Sequence, residues 1–182
     1  MAIELQTPRK DPRVARTQKL LRDAFTSLLQ EKSFESISVQ DIAERATVNR
    51  ATFYAHFQDK FDLFESLIRE GFQEKLAGGD SGNEDSIDRT LYSLTINVFT
   101  FIDDAYGHCK LDKVFGPQLQ RTLHEELLAY LSRWLSKADA LVASSAMIGA
   151  ALDWRSNHTK VPADRVAREI VDVLLGGIAK RN

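Results

Sequence analysis

Apolar residues recur along this chain at intervals of three and four positions, which is the spacing of one face of an α-helix. No segment alternates apolar and polar residues over several positions, so the pattern predicts no β-sheet. The first apolar stripe ends near Lys32 and predicts a broad amphipathic helix. Its members are Val14, Leu20, Leu21, Ala24, Phe25, Leu28 and Leu29. The fold class expected from this pattern is all-α.

Two short helices are predicted directly after this stripe. Ser38 and Asp41 have the spacing of a capping box, with Asp in place of the usual Glu, and predict a helix over 39–45. Asn49 is a favourable N-cap and predicts a second helix over 50–56. Only about three residues separate the two helices, and Asp59 then caps a longer helix that is predicted to reach about residue 76.

The rest of the chain is predicted to form four further helices. The segment 78–85 concentrates Gly, Ser, Asn and Asp and is expected to be a loop. Apolar stripes over 87–102 and 119–134 predict two helices, with breaks at Gly107 and at Gly116 followed by Pro117. The last two helices are expected over 138–154 and 162–179.

Two short helices joined by a tight turn and preceded by a longer helix are the sequence form of a helix-turn-helix, whose second helix lies in the major groove of DNA. Phe53 and Phe57 are expected in the core, which leaves the opposite, polar face of the second helix for DNA. That face would carry Asn49, Arg50, Thr52, Tyr54 and His56. Arg50 has the forked donor geometry that reads guanine, and the alternative for it is a solvated surface arginine.

The net charge of the whole chain at first argues against DNA binding. The chain has 182 residues, enough for one domain or a small module fused to a larger one, and its formal net charge is −2, whereas nucleic-acid-binding domains are usually basic. However, six basic residues and one acidic residue lie between positions 9 and 22, and Arg13 is among them. This basic arm is expected to follow the DNA backbone or enter a minor groove, and the alternative is a solvated helix face with a frayed tail. Residues 76–182 carry 12 basic and 14 acidic side chains and should not touch DNA.

Other features narrow the class of protein. Cys109 is the only cysteine, so no internal disulfide is expected, and the first ten residues lack the apolar core of a secretory signal. The most apolar window, 141–152, is too short to cross a bilayer, so we expect a cytoplasmic protein with no membrane segment. His108, Cys109 and His124 lack the spacing of metal ligands or of a catalytic triad, so we expect no metal, no cofactor and no enzymatic activity.

Three motifs carry a family resemblance. They are Thr17-x-x-x-Leu-x-x-Ala-Phe, then Ser38-x-x-Asp-Ile-Ala, and finally residues 46–60, Ala-Thr-Val-Asn-Arg-Ala-Thr-Phe-Tyr-Ala-His-Phe-Gln-Asp-Lys. With these motifs the chain resembles the TetR family of bacterial transcriptional regulators. The resemblance implies a helix-turn-helix DNA-binding domain with its arm over 1–58, and a helical domain over 59–182 that dimerises and usually binds a small-molecule effector.

The resemblance also implies roles for single residues. Asn49, Thr52, Tyr54, His56 and Lys60 fall where the family contacts the DNA backbone. Base edges would be read by Arg50 and Ala51, and phosphate would be touched by Ser38 and Gln40. The alternative for His56 is a histidine at a helix end or a domain interface. Two residues depart from the family pattern, since Thr47 and Ala51 stand where glycine is common, and Thr47 must accept a left-handed conformation unless the turn differs.

The C-terminal half supplies two further predictions. Small and apolar residues on the last two helices are expected to form a homodimer interface, with packing inside one protomer as the alternative. The interface residues are Ser145, Ile148, Gly149, Leu152, Ile170, Val173, Leu174 and Gly177. An effector pocket is expected to be lined by Phe72, Tyr92, Phe99, His124 and Trp134.

The function expected from these features is a sequence-specific repressor that a small-molecule effector releases from a palindromic double-stranded DNA operator. The alternatives are a helical protein-interaction module and an activator controlled by a protein partner.

Overall fold

The computed structural model describes residues 11–79, 87–108, 115–156 and 161–178, and every regular element in these ranges is helical. The all-α prediction is therefore confirmed. A short 3-10 turn, Phe34–Ser36, lies between the first two helices. The α-helices are α1 Pro12–Glu31, α2 Val39–Arg45, α3 Arg50–Tyr54, α4 Lys60–Gly79, α5 Ile87–His108, α6 Phe115–Leu131, α7 Lys137–Ser156 and α8 Ala163–Ile178.

The helix starts in the N-terminal part follow the polar caps in the sequence. The Ser38 hydroxyl accepts a hydrogen bond from the backbone N–H of Asp41, and the Asp41 carboxylate accepts one from the backbone N–H of Ser38, so the capping box is complete. Asp59 Oδ1 accepts from the N–H groups of Phe61 and Asp62 at the start of α4. These bonds satisfy donors that have no partner inside the helix, so these starts could be predicted locally.

Several predicted helix ends were wrong. Helix α4 continues through Gly78 and Gly79, α5 passes through Gly107 without a break, and α3 ends at Tyr54 instead of His56. One glycine costs a helix only about 1 kcal/mol relative to alanine, which packing of the preceding turns can offset. Residues 80–85 of the predicted loop lie outside the described residues.

Helix α4 joins the two parts of the fold. It packs against α1 and also against α5 and α6. Phe64 of α4 contacts Phe25 of α1, with ring centroids 6.2 Å apart, and Phe115 of α6, with centroids 5.0 Å apart. All three rings are buried within one continuous apolar core. Helices α1 to α3 therefore share one apolar core with the rest of the fold and are not connected to it only by a polar linker.

One prediction about the first stripe was wrong and one about the turn was confirmed. Leu20 is 43% exposed, so it lies off the buried face of α1.

Thr47, in the turn between α2 and α3, has a φ of 57° and adopts the left-handed conformation. Such a conformation is unfavourable for a β-branched residue, which identifies Thr47 as a strained position.

Candidate nucleic-acid interface

Helix α3 presents a polar face because its aromatic residues turn inward. Phe53 is fully buried and Phe57, just after the helix, is 4% exposed. Asn49, Arg50 and Ala51 are exposed, and Tyr54 is half exposed. The structure thus places the two predicted base readers on the same accessible end of one helix.

Asn49 and Thr52 form the start of this helix together. Asn49 Oδ1 accepts hydrogen bonds from the Thr52 backbone N–H at 2.7 Å and from the Thr52 hydroxyl at 3.0 Å. One carboxamide oxygen therefore orders both the first turn and the Thr52 side chain. The cap thereby fixes the residue at which α3 begins.

Arg50 and Tyr54 lie side by side, one turn apart. Arg50 Nη2 is 3.4 Å from the Tyr54 hydroxyl oxygen, and the guanidinium carbon lies 5.9 Å from the centroid of the Tyr54 ring. Tyr54 also packs edge-on against Phe53, with centroids 5.5 Å apart. The Tyr54 ring therefore contacts both Phe53 and the guanidinium of Arg50.

Helix α2 is attached at its N-terminus by a charged cap. The Asp41 carboxylate accepts from the Ser38 hydroxyl at 2.6 Å and pairs with Lys32 at 3.0 Å. The Ser38 hydrogen bonds, assisted by Lys32, hold the pKa of Asp41 well below its usual range. Gln40, a predicted phosphate contact, donates to Glu44 on the same helix.

Arg45 attaches the other end of α2 to α1. Its two terminal nitrogens each donate to one oxygen of Glu31 at 2.8 Å, and Nη1 also donates to Ser27. This bidentate pair lowers the pKa of Glu31 and raises that of Arg45. Because α3 packs on α2, these two attachments of α2 also restrict the position of α3.

The Lys60 ammonium is engaged by the segment between α1 and α2. It donates to the backbone carbonyls of Phe34, Glu35 and Ile37 at 2.8, 3.0 and 2.8 Å. A phosphate contact would require the ammonium to leave these carbonyls. The predicted phosphate role of Lys60 therefore stays a prediction without support from its contacts.

The described part of the basic arm divides into two groups. Arg13, Arg16 and Lys19 are exposed on α1, which starts with the Asp11 carboxylate capping the Arg13 N–H at 2.9 Å. Arg22 turns instead toward α4, where it pairs with Glu70 and donates to the Ser66 hydroxyl at 3.4 Å. Arg22 is therefore a bridge between helices, and including it in the arm was wrong.

The five residues predicted to line an effector pocket each contact other neighbours in the structure, and the pocket itself stays a prediction. Phe72 packs on Phe101, Phe99 on Trp154 and Trp134 on Tyr130. Tyr92 lies under Arg168, and His124 contacts the hydroxyls of Ser144 and Ser145. Aromatic residues on amphipathic helices mostly fill the core, and the sequence does not show which core positions face a common space.

Two grooves lie elsewhere, both on α4, and none of the five residues lines either one. The first, about 500 Å³, separates α4 from α6 and is lined by Gln73, Leu76, Ala77, Glu126, Ala129, Tyr130 and Arg133. The second, about 450 Å³, lies between α1 and α4 and is lined by Ala15, Gln18, Arg22, Asp62, Glu65, Ser66, Arg69, Glu70 and Gln73. Sequence reasoning missed both because their linings are largely charged or small.

The predicted dimer residues separate into exposed and buried groups. Val173 is 74% exposed, Ser145, Gly149 and Gly177 are exposed, and Leu152 and Ile170 are half-buried. Ile148 and Leu174 are 2% and 5% exposed and pack inside the protomer, so the interface assignment was wrong for these two. Leu141 and Val142, 48% and 56% exposed at the start of α7, are apolar positions that the prediction omitted.

Within the four described ranges, no three His, Cys, Asp or Glu side chains are arranged to hold a metal ion. None of the described helices combines the length and apolar character needed to cross a membrane.

Comparison with known proteins agrees with this geometry. Residues 21–67 match the family described as bacterial regulatory proteins, tetR family. The transcriptional activator DhaS of the dhaKLM operon, from Lactococcus lactis, is 38% identical over 58 residues, which cover 32% of this chain and 31% of DhaS. The chain thus spans only about a third of the length of this relative.

Solved structures resemble the chain over nearly its whole length. A TetR-family regulator from Streptomyces coelicolor A3 has a TM-score of 0.69 at 17% identity, covering 94% of this chain and 99% of that one. The regulator FadR from Bacillus subtilis, in complex with stearoyl-CoA, has a TM-score of 0.55 at 15% identity, covering 88% and 98%. At such identities the similarity establishes the fold alone.

Proposed function

We infer that this chain, which belongs to the TetR family of bacterial regulatory proteins, is a sequence-specific DNA-binding transcriptional regulator that acts as a homodimer. In this proposal residues 1–58 bind DNA and residues 59–182 dimerise and regulate. Its site of action is the cytoplasm, where bacterial DNA lies. We assign no catalytic step to this protein.

The observation that carries the proposal is the accessible face of α3. Arg50 and Ala51 stand exposed at the capped end of a helix whose opposite side is anchored by buried Phe53. A guanidinium in this position can donate two hydrogen bonds to guanine O6 and N7, which discriminates against other bases by about 1 to 3 kcal/mol. Tyr54 and the N-terminal N–H groups of α3 would contact phosphate and fix the register of the helix.

The acidic total charge is compatible with this role because the charges are unevenly placed. Arg13, Arg16 and Lys19 are exposed on α1, which packs against α2, and α2 in turn packs against α3. Arg69 and Arg121, by contrast, pair with glutamates of α4 and α6. The arm therefore supplies the local positive potential that phosphate binding requires.

The exposed apolar face of α7 and α8 supports a second copy of this chain as partner. Val173, Leu141 and Val142 would be unusually exposed in a monomer. A twofold dimer would present two α3 helices to successive major grooves, about 34 Å apart, and would read a palindromic site.

Repression relieved by a small molecule is the regulatory mode that we propose. A dimer bound across a promoter blocks access of the polymerase without any further contact, whereas activation needs an additional surface. An effector would have to bind the DNA-incompetent state more tightly in order to release the operator. FadR of similar fold binds stearoyl-CoA, so this architecture accommodates a ligand. DhaS is described as an activator, so the sign of regulation is a point to test.

The deciding experiment is a gel-shift titration against DNA upstream of the chain's own gene, at several salt concentrations. We expect binding that weakens steeply with salt and is abolished by Arg50→Ala together with Tyr54→Ala. Arg165→Ala is the matched control, because Arg165 is an exposed arginine on α8, distant in sequence from the proposed DNA-contacting face of α3. Binding that ignores salt, or that survives the double substitution, contradicts the proposal. A reporter driven by the same promoter then separates repression from activation.

A further inference from the structure

The ammonium of Lys60 occupies a ring of backbone carbonyls at the junction between α1 and α2. It donates to Phe34 O at 2.8 Å, Glu35 O at 3.0 Å and Ile37 O at 2.8 Å. An ammonium group has three N–H donors, so it can donate to all three of these carbonyls. The three acceptors come from one short segment, which makes the contact a clamp on that segment.

Aromatic rings complete the cation site. Lys60 Nζ lies 4.8 Å from the centroid of the Phe34 ring and 5.9 Å from that of Phe61. Lys60 is also the first residue of α4, where the helix dipole disfavours a cation. The carbonyl oxygens and ring faces supply compensating negative potential, which draws the side chain away from its own helix and onto the 34–37 segment.

The clamped segment determines where α2 begins. Phe34 and Ile37 are each 1% exposed, and Ser38 caps α2 directly after Ile37. Lys60 therefore links the start of α2 to the start of α4, while Arg45 links the end of α2 to Glu31 of α1. Helix α3 has only five residues and packs on α2, so its direction depends on these two attachments.

We propose that Lys60 is a positioning residue of the DNA-binding unit, which sets the direction of α3 through the 34–37 segment and supplies no phosphate contact. This role rests on the proposed DNA-binding function. It differs from the phosphate contact that the family resemblance implies for the same lysine, and the two roles predict different responses to salt.

The first test compares Lys60→Met with Arg13→Met, which removes an exposed cation of the basic arm. Affinity is measured over a range of salt on operator DNA and on unrelated DNA of equal length. Each lost phosphate contact lowers the slope of log affinity against log salt by about 0.9, so a substitution present in both copies of a dimer lowers it by about 1.8. We expect this change for Arg13→Met. For Lys60→Met we expect an unchanged slope, an operator affinity lower by about tenfold or more, and an affinity for unrelated DNA within about threefold of the original.

Two outcomes would overturn the role. A reduced slope on both DNAs identifies Lys60 as a phosphate ligand. An equal loss on both DNAs at unchanged slope identifies it as a residue that only stabilises the fold, because a smaller folded fraction lowers both affinities alike. Circular dichroism of Lys60→Met shows the temperatures at which this variant is folded, and the affinities are compared at one of those temperatures.

A second test needs no variant and covers the case in which Lys60→Met does not fold. The unmodified protein is treated with limiting acetic anhydride without DNA, and acetylation is quantified by peptide mass spectrometry. We expect Lys60 to react several-fold more slowly than exposed Lys19, since its ammonium is engaged by carbonyls. Equal reactivity without DNA, with protection of Lys60 only when operator is added, overturns the clamp. If the protein binds no DNA at all, the proposed function fails while this test still decides on the clamp.

Discussion

The Arg50 guanidinium and the Tyr54 hydroxyl lie 3.4 Å apart on the exposed face of α3. The pair matters because an arginine side chain has many rotamers, and fixing one costs conformational entropy on binding. A guanidinium resting on an aromatic ring, which is itself held by Phe53, is already restricted before DNA arrives. The Arg50 side chain is thus partly ordered in the free protein.

Arg50→Lys is expected to relax specificity while keeping the charge. Lysine cannot reproduce the bidentate fork, so the preference for the operator over a variant changed at the contacted base pair should fall by about 1 to 3 kcal/mol. Competition binding against operators changed one base pair at a time measures this preference. Arg165→Lys on α8 serves as control, and an undiminished preference at every position would exclude Arg50 as a base reader.

Thr47→Gly is expected to stabilise the protein. Thr47 has a φ of 57°, a conformation that costs an L-residue about 1 to 2 kcal/mol and glycine almost nothing. The greater freedom of glycine in the unfolded chain offsets about 0.5 to 1 kcal/mol of this gain, so we expect a net increase of up to about 1.5 kcal/mol in the free energy of unfolding. Urea denaturation measures it. Thr47→Ala retains a Cβ and should gain less, and a destabilised glycine variant would contradict the strain argument.

Acid should remove the contribution of the Asp41 cap. Hydrogen bonds from Ser38 hold the pKa of Asp41 below its ordinary value of 3.8. Since the folded-state pKa is the lower one, the stabilisation is complete above the unfolded pKa and is lost as pH falls toward the folded pKa. Asp41→Asn should therefore lower the free energy of unfolding by about 1 kcal/mol at neutral pH, and the difference should shrink below about pH 4. Urea denaturation at neutral and acidic pH tests this, and a difference independent of pH would refute it.

Val173→Glu is expected to weaken dimerisation. The Val173 side chain is 74% exposed on α8, and a carboxylate at the centre of an apolar interface would lack a partner in the second copy. Sedimentation at micromolar concentration should show a dimer for the original protein and a larger monomer fraction for the variant. Val161→Glu places the same charge at an exposed valine outside this face and should leave the distribution unchanged. A monomeric original protein would contradict the homodimer itself.

The N-terminal unit could be predicted in detail because its structure is mostly local. The Ser38 box and the Asn49 cap act within one helical turn, so sequence spacing is enough to place the starts of α2 and α3. The left-handed conformation of Thr47 was expected because this residue stands where the family commonly has glycine. The ends of α4 and α5 had no comparable capping pattern in the sequence, so they were predicted from glycines alone. The predicted breaks at positions 78 and 107 were wrong.

The effector pocket could not be predicted from local sequence patterns in the same way. Phe72 and Phe99 are aromatic residues on amphipathic helices, which the sequence identifies as apolar but cannot place relative to each other. The structure buries both in the core, whereas the groove between α4 and α6 is lined in part by Gln73, Glu126 and Arg133. Contacts between helices distant in sequence decide which residues face a shared space.

By itself the sequence determined the helical class, the starts of the short helices and the polar face that Arg50 and Tyr54 occupy, because caps and helical periodicity act over a few residues. Only the tertiary structure decided that Lys60 reaches back 23 to 26 residues to clamp three carbonyls, that Arg22 faces α4, and that Val173 is exposed while Leu174 is buried. Periodicity tells which side of a helix is apolar, but the neighbour that covers that side, or leaves it open, is set by the packing of the whole chain.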